Sequence, residues 1–514
     1  MTKMEFAHIE TGGGMKNDIV LYQRIYQLLK NQIECGLLPE GKSLPSRAEL
    51  CREFQVSEKT VRRVLEEMLE KGLIETRQGK RPVVRNAAQT GREFETETLQ
   101  EDATVPQDIF STGRLFCYPV IEHGIARCAR EDWEMPAAII ARMDPSHATE
   151  FWRLSHYVWR FFVARNENDL ILRAVDSLGF FYIERLPGPL EVREAYWNSL
   201  KNFVRAAGKD GYSKEALLEN LSGLYGFGAD QRWIEAHYRK RPDASWCPGR
   251  CGLEQSLRSA EERYSHVYMD MIGLIAIGRY QPGDQLPTHK ELQRKYDVSS
   301  DTTAKAIRVL REWGIVTAIR GCGIYVSMDL TGLKNVKISP DLIGCHLRRF
   351  LDSLELLDFT IDKVAEHAAE WIPAEAAEAL LRKMERLWNE EYLYQLTPMA
   401  LLNFITDYIQ YSPLKEIYRV VSRNYHIGRC IPKLVTHGKS FESCAIQRQA
   451  VEAVECLIQG DGRRFSEKAA AMFGYVHGLV LRKCEQLGYL EVAGQVYDGT
   501  ALWKRAFQDF GGGK

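Results

Sequence analysis

The sequence lacks most of the marks of an enzyme, a membrane protein or a secreted protein. No run of about 18 apolar residues is present, the length a helix needs to cross a bilayer, and no apolar segment reads as a secretory signal. The 12 cysteines are scattered and form no CxxC pair. Cys247 and Cys251 stand four apart among prolines and glycines, with no second pair at zinc-finger spacing, so neither a zinc site nor a disulfide framework is expected. Free thiols fit a reducing compartment. Phosphate loop, nucleophile elbow and metal-ligand cluster are all missing, as is a large α/β region with a cofactor lysine. These absences argue against catalysis and for a soluble, cytoplasmic chain with no cofactor and no membrane partner. An excess of one charge is missing too, with 68 basic against 69 acidic residues. That does not exclude nucleic acid, because the charge only has to be local.

What is present is an internal repeat. The chain has 514 residues, 45% of them hydrophobic, enough for about three to five domains. From Leu44 to Val84 it reads LPSRAELCREFQVSEKTVRRVLEEMLEKGLIETRQGKRPVV. Ser46 can cap a short helix, Ala48 to Phe54, with Leu50 and Phe54 on one face. After a turn at Gln55 and Val56, Ser57 can cap a second helix, Glu58 to Lys71, whose apolar stripe is Val61, Val64, Leu65, Met68 and Leu69. Gly72 ends it. Two β-type runs, Leu73 to Arg77 and Pro82 to Arg85, flank a tip of Gln78, Gly79, Lys80 and Arg81. Helix, turn, helix and basic wing suit duplex DNA: a major groove admits one helix, whose first residues reach base edges, while basic side chains beside it hold phosphates. The candidate DNA-binding residues are Ser46, Arg47, Ser57, Lys59, Thr60, Arg62, Arg63, Arg77, Gly79, Lys80 and Arg81. Alternatively, the arginines are only a solvated face.

The second copy, Leu286 to Val326, aligns without a gap at an offset of 242: LPTHKELQRKYDVSSDTTAKAIRVLREWGIVTAIRGCGIYV. Gly41/Gly283, Pro45/Pro287, Leu50/Leu292, Val56/Val298, Ser57/Ser299, Thr60/Thr302, Gly72/Gly314, Gly79/Gly321 and Val84/Val326 are identical pairs. A preceding helix recurs as well, with Tyr22, Ile25, Tyr26, Leu29 and Ile33 matched by Tyr264, Val267, Tyr268, Met271 and Ile275. Repetition of caps, turn and glycines together marks a whole head present twice. Its candidate DNA-binding residues are Thr288, His289, Lys290, Ser299, Thr302, Lys305, Arg320, Gly321 and Gly323.

Both heads resemble the winged helix-turn-helix domain of the GntR family of bacterial transcription regulators. The resemblance rests on LPSRAEL, VSEKTVRRVL and GLIETRQGK in one copy, and LPTHKEL, VSSDTTAKAI and GIVTAIRGCGIYV in the other. The first head has Glu58 where the family has an arginine, and Arg81 where its wing has a second glycine. The second head keeps the wing but has Ser300 and Ala304 in place of the two helix arginines. Losing them makes the second head the weaker candidate.

Around the heads the chain is helical in pattern. Ala87 to Gln107 and Lys240 to Ser256 read as linkers. The fold class is therefore mainly α: two winged helix-turn-helix domains with small β wings, at 15–86 and 259–328, each followed by an all-α bundle, at 108–240 and 343–508. A fainter repeat joins the bundles at an offset of 244, through Tyr182/His426, Ile183/Ile427 and Arg185/Arg429. The resemblance puts effector-sensing domains at these positions and implies, for the helical type, a divalent metal held by an aspartate and three histidines. Here Ile405 stands where one histidine would, and His346, His367, His426, His437 and His477 do not fall into that spacing, so no metal is expected. The aromatic runs Trp152, Tyr157, Trp159, Phe161, Phe162 and Phe180 to Tyr182 read as core in preference to a ligand cavity. Arg348 and Arg349 either meet an acidic effector or lie on the surface. No effector-binding residues can be named.

The resulting function is a DNA-binding transcription regulator whose partners are a double-stranded operator and a small-molecule effector. The chain either serves as its own pseudo-dimer or forms a homodimer with four heads. The rival is a protein-interaction scaffold built from degenerate heads that no longer touch DNA.

Overall fold

A computed structural model describes residues 25–26, 29, 33, 41–54, 57–76, 81–85, 108, 111–178, 190–207, 260–276, 280–296, 298–327, 340–390, 393–428, 431, 434 and 439–494. Its contacts divide the chain into two compact units, one of residues 1–95, 258–263 and 506–514, the other of 96–257 and 264–505.

The first unit is a winged head. Ile25, Tyr26, Leu29 and Ile33 are helical and buried. Two helices follow, α1 (Arg47–Phe54) and α2 (Glu58–Glu70), then two short strands, β1 (Ile74–Glu75) and β2 (Val83–Val84). Val61, Val64, Leu65 and Met68 recur at helical spacing and are buried, which seats α2 on the core with Leu44, Leu50 and Ile74. Gly72 takes φ +70°, a conformation that costs a side chain strain, and Leu73 N–H then donates to Met68 O at 2.9 Å. The strands pair antiparallel, Ile74 with Val84 and Glu75 with Val83. Residues 41–44 line the far edge of β2, with Gly41 N–H donating to Val84 O and Val84 N–H to Lys42 O, each at 2.9 Å. The paired strands are shorter than the sequence pattern suggests.

The second unit begins with a helical region. A π-helical turn at Gly113–Cys117 runs into α3 (Tyr118–Arg127), followed by α4 (Glu134–Ala141), α5 (Ala148–Ala164), α6 (Asp169–Ser177) and α7 (Leu190–Ala207). Tyr157, Trp159, Phe161 and Phe162 are buried in its core, as expected. Phe180 to Tyr182 lie outside the described residues, as do Cys247 and Cys251. The second head comprises α8 (Ala260–Ala276), α9 (His289–Tyr296), α10 (Ser300–Glu312), β3 (Val316–Ile319) and β4 (Gly323–Val326). Its hairpin is longer, with four antiparallel pairs from Val316 and Val326 to Ile319 and Gly323. The last region holds α11 (Pro340–Ala369), α12 (Ala374–Asn389), α13 (Thr397–Tyr408), α14 (Ser412–Gly428), α15 (Phe441–Ile458), α16 (Gly462–Gln486) and α17 (Tyr489–Gly494). No helix among the described residues is long and apolar enough to cross a membrane.

Within this unit α11 is the shared element. On one side His123 of α3 stacks on Phe359, with ring centroids 3.8 Å apart. Arg127 reaches Glu355 at 3.5 Å, and Asn168, just before α6, donates to Asp352 O at 2.9 Å and to Glu355 at 2.8 Å. On another, Thr360 and Tyr418 of α14 share a buried hydrogen bond of 2.8 Å, and Asn424 donates to Ser353 Oγ at 3.0 Å.

The helical regions repeat in their contacts. His123 lies 2.8 Å from Asn166 Oδ1. At an offset of 244, His367 accepts from Gln410 N–H at 3.3 Å. Between the regions, Asn168 donates to the backbone of Asp352, and the equivalent Ser412 donates its N–H to Asp108 at 3.4 Å, where Asp108 is the equivalent of Asp352. The start of α6 thus meets α11, and the start of α14 meets Asp108, ahead of α3.

Gly124 sets the close approach of α3 to α5, because a Cβ there would overlap the backbone carbonyl of Phe162. Overpacking against backbone cannot be relieved by a rotamer change. Gly124→Ala should lower stability by about 1–3 kcal/mol, read as a lower denaturant midpoint. An unchanged midpoint would contradict this packing.

Candidate nucleic-acid interface

α1 and α9 each start with a side chain that satisfies orphan amides. In the first, Glu49 N–H donates to Ser46 Oγ at 3.2 Å, and Ser46 N–H to Glu49 Oε2 at 2.6 Å, a reciprocal capping box. In the second, Glu291 N–H donates to Thr288 Oγ1 at 3.3 Å, and Thr288 N–H and hydroxyl both donate to Glu291 at 2.8 Å. Those bonds, the backbone one foremost, hold the Glu291 carboxyl below its ordinary range.

α2 and α10 are capped alike. Ser57 Oγ accepts from Thr60 N–H at 3.2 Å and Ser299 Oγ from Thr302 N–H at 3.3 Å. The threonine hydroxyls turn back to the same serines, at 2.8 and 2.9 Å. Thr60, expected at the DNA, is only 1% exposed, whereas Thr302 is half-buried.

At the start of α2, Lys59, Arg62 and Arg63 are exposed, as is Arg47 at the start of α1. Arg62 Nη2 stands 3.8 Å from Glu58 Oε1, with the two side chains 55% and 64% exposed. Arg81 of the wing stands 3.5 Å from Glu49. Arg77, Gly79 and Lys80 lie outside the described residues. Sequence reasoning had not drawn the pairings of Glu58 and Glu49 with these arginines, although a spacing of four along one helix signals the first.

The second head keeps the skeleton and changes the surface. Lys290 and Arg320 are exposed, and so is Gly321 (φ +79°) at the wing tip. Gly323 (φ +134°) leaves room for Gln285, whose amide donates to Cys322 O at 3.0 Å; a Cβ at 323 would overlap it. Lys305, the counterpart of Arg63, lies with Nζ 3.9 Å above the ring of Tyr264, a cation–π contact within the head. His289 Nδ1 is 3.2 Å from the hydroxyl of Thr303, which is buried.

A cluster that sequence reasoning missed joins this head to α14. Asp270 of α8 has His426 Nε2 at 2.6 Å and Lys295 at 3.3 Å, and the Tyr296 hydroxyl hydrogen-bonds to it. Burial alone would raise its carboxyl. His426 and Tyr296, with Lys295, outweigh that and hold it well below the ordinary carboxylate range. Tyr268 of α8 also bonds His346 of α11 at 2.8 Å. The first head's equivalents of Asp270 and Lys295 are Leu28 and Glu53, so this cluster belongs to one copy alone. Among the described residues no group of three or more His, Cys, Asp or Glu side chains is placed to hold a metal; Ile405 is buried.

Two capped helices at a turn, with a two-stranded wing, define a winged helix-turn-helix head, and this chain has two. Residues 21–84 and 263–326 match the family described as "Bacterial regulatory proteins, gntR family". Both heads belong to that family. The Uxu operon transcriptional regulator of Escherichia coli (strain K12) is 32% identical over 115 residues, covering 22% of this chain and 44% of that protein. The mannosyl-D-glycerate transport/metabolism system repressor MngR of the same strain is 44% identical over 55 residues, covering 11% and 23%. The HTH-type transcriptional repressor YtrA of Bacillus subtilis (strain 168) is 34% identical over 70 residues, covering 14% and 54%. The matched part of this chain spans about half or less of each relative's length.

The caps are separable from the surface charges. Ser57→Ala should destabilise the first turn of α2 by about 1 kcal/mol. Hydrogen exchange would show it as several-fold faster exchange at Thr60 and Val61, with α10 unaffected; equal change in both helices would contradict a local cap.

Proposed function

We propose that this chain is a sequence-specific, DNA-binding transcription regulator, non-catalytic, whose two unlike heads act as a pseudo-dimer under the control of an effector held in the helical regions. The observation that carries the DNA-binding reading is the capped start of α2, where Lys59, Arg62 and Arg63 are all exposed beside a short wing carrying Arg81. Such a surface suits a helix end in the major groove with phosphate contacts around it. The relatives, all named as regulators or repressors, support the same class. The domains are read as heads at 15–86 and 259–328 and helical regions at 108–240 and 343–508.

The pseudo-dimer reading draws on the reciprocal contacts of Asn168 with Asp352 and Ser412 with Asp108. Two-headed readers of this class need two-fold partners, and here the partner is encoded in the same chain. The first head dominates affinity: Lys305 is engaged by Tyr264, and Ala304 replaces an arginine that could make bidentate contacts.

Affinity for duplex DNA should fall linearly on a log–log plot against salt, with a slope of several units set by the phosphates engaged. Arg62→Ala should weaken operator binding roughly tenfold, and Arg320→Ala by less. A flat salt response would contradict DNA binding in favour of a scaffold. Loss of binding in Arg320→Ala with none in Arg62→Ala would reverse the roles of the heads.

A further inference from the structure

We propose that Glu58 is a base-reading residue of the first head, selecting a cytosine next to the guanine taken by Arg62. This rests on the DNA-binding reading above and specifies what that head reads. Glu58 opens α2, and Arg62 follows one turn later, on the same line of the helix. The buried stripe of Thr60, Val61, Val64, Leu65 and Met68 turns both away from the core. Both side chains are more than half exposed, yet Oε1 and Nη2 stand 3.8 Å apart. The carboxylate and the guanidinium thus lie side by side near the leading end of the helix, the end suited to base edges.

The chemistry of the two groups divides the bases between them. A carboxylate only accepts, so it is repelled by phosphates, by guanine N7 and O6, and by thymine O4. The major groove offers it two amino donors. On adenine the amino group sits beside the acceptor N7, which opposes a carboxylate. On cytosine N4 is flanked by an acceptor on one side only, the paired guanine O6, with C5–H on the other, so cytosine is the base Glu58 fits better. Arg62 presents a fork of donors that matches guanine O6 and N7. An acceptor and a donor fork one turn apart thus call for a cytosine and a guanine in neighbouring pairs. In the second head Ser300 and Ala304 hold these positions, and neither can make this pair of contacts. The half-site preference belongs to the first head alone.

The rival role for Glu58 is plain repulsion of phosphates, which is independent of sequence. Selection of randomised duplexes by the full chain, followed by titration of chosen sites at fixed salt, separates the two. The wild-type chain should enrich cytosine at one position beside an enriched guanine. Glu58→Ala should lose roughly tenfold discrimination at that position only, and bind the cytosine site more weakly. Glu58→Gln should move the preference towards adenine, whose N6 and N7 an amide can pair. Arg62→Ala should erase the adjacent guanine. If Glu58→Ala instead tightens binding to every sequence by a similar factor, with base preferences unchanged, the proposal is overturned while DNA binding stands. No enrichment by the wild-type chain would overturn both.

Discussion

The second unit depends on the burial of one helix from several sides. The 30 residues of Pro340–Ala369 carry Leu347, Leu354, Leu357, Ile361 and Val364 along one stripe, with Leu356 and Thr360 buried beside it. Each large apolar side chain taken out of water contributes about 1.5–3 kcal/mol, so the helix is stable only when this stripe is covered. Helices from both regions supply that cover. His123 stacks on Phe359, Asn168 bonds Asp352 and Glu355, Tyr418 bonds Thr360, and Tyr268 of the second head bonds His346. The second head and both helical regions therefore form a single structural unit, with α11 as the element they have in common.

The two heads show how one skeleton carries two surfaces. Caps, core and wing recur, because they follow from local rules of helix and turn. The charged positions diverge. In the first head Arg62 and Arg63 are exposed on α2, with Glu58 beside Arg62. In the second, Lys305 lies on Tyr264, and Lys295 is drawn to Asp270 with His426. A basic side chain engaged within the protein has to give up that contact before it can hold a phosphate.

The heads were largely legible in the sequence, since their signals lie within a few residues. Ser57 and Ser299 cap as expected, and Gly72 and Gly314 both take φ +70° at the ends of their helices. What was not legible depends on distant partners. Thr60, which read as a contact residue, is a local exception: its hydroxyl turns back to Ser57 three residues away and the side chain is buried. Asp270 gave no sign in the sequence, because its partners lie 25 to 156 residues away. The repeat of the helical regions was faint for a related reason. Its structural pairs conserve roles more than identities: Asn166 and Gln410 each meet a histidine, and Asn168 and Ser412 each donate across the interface.

The central claim is that one chain supplies two unlike heads to one operator. Homodimers of identical heads favour palindromes, whereas unlike heads have no reason to. Light scattering of the purified complex, on a duplex carrying the selected site, measures this directly. One chain of 58.9 kDa per duplex, protecting two dissimilar half-sites, is the predicted result. Two chains on a symmetric site would contradict it.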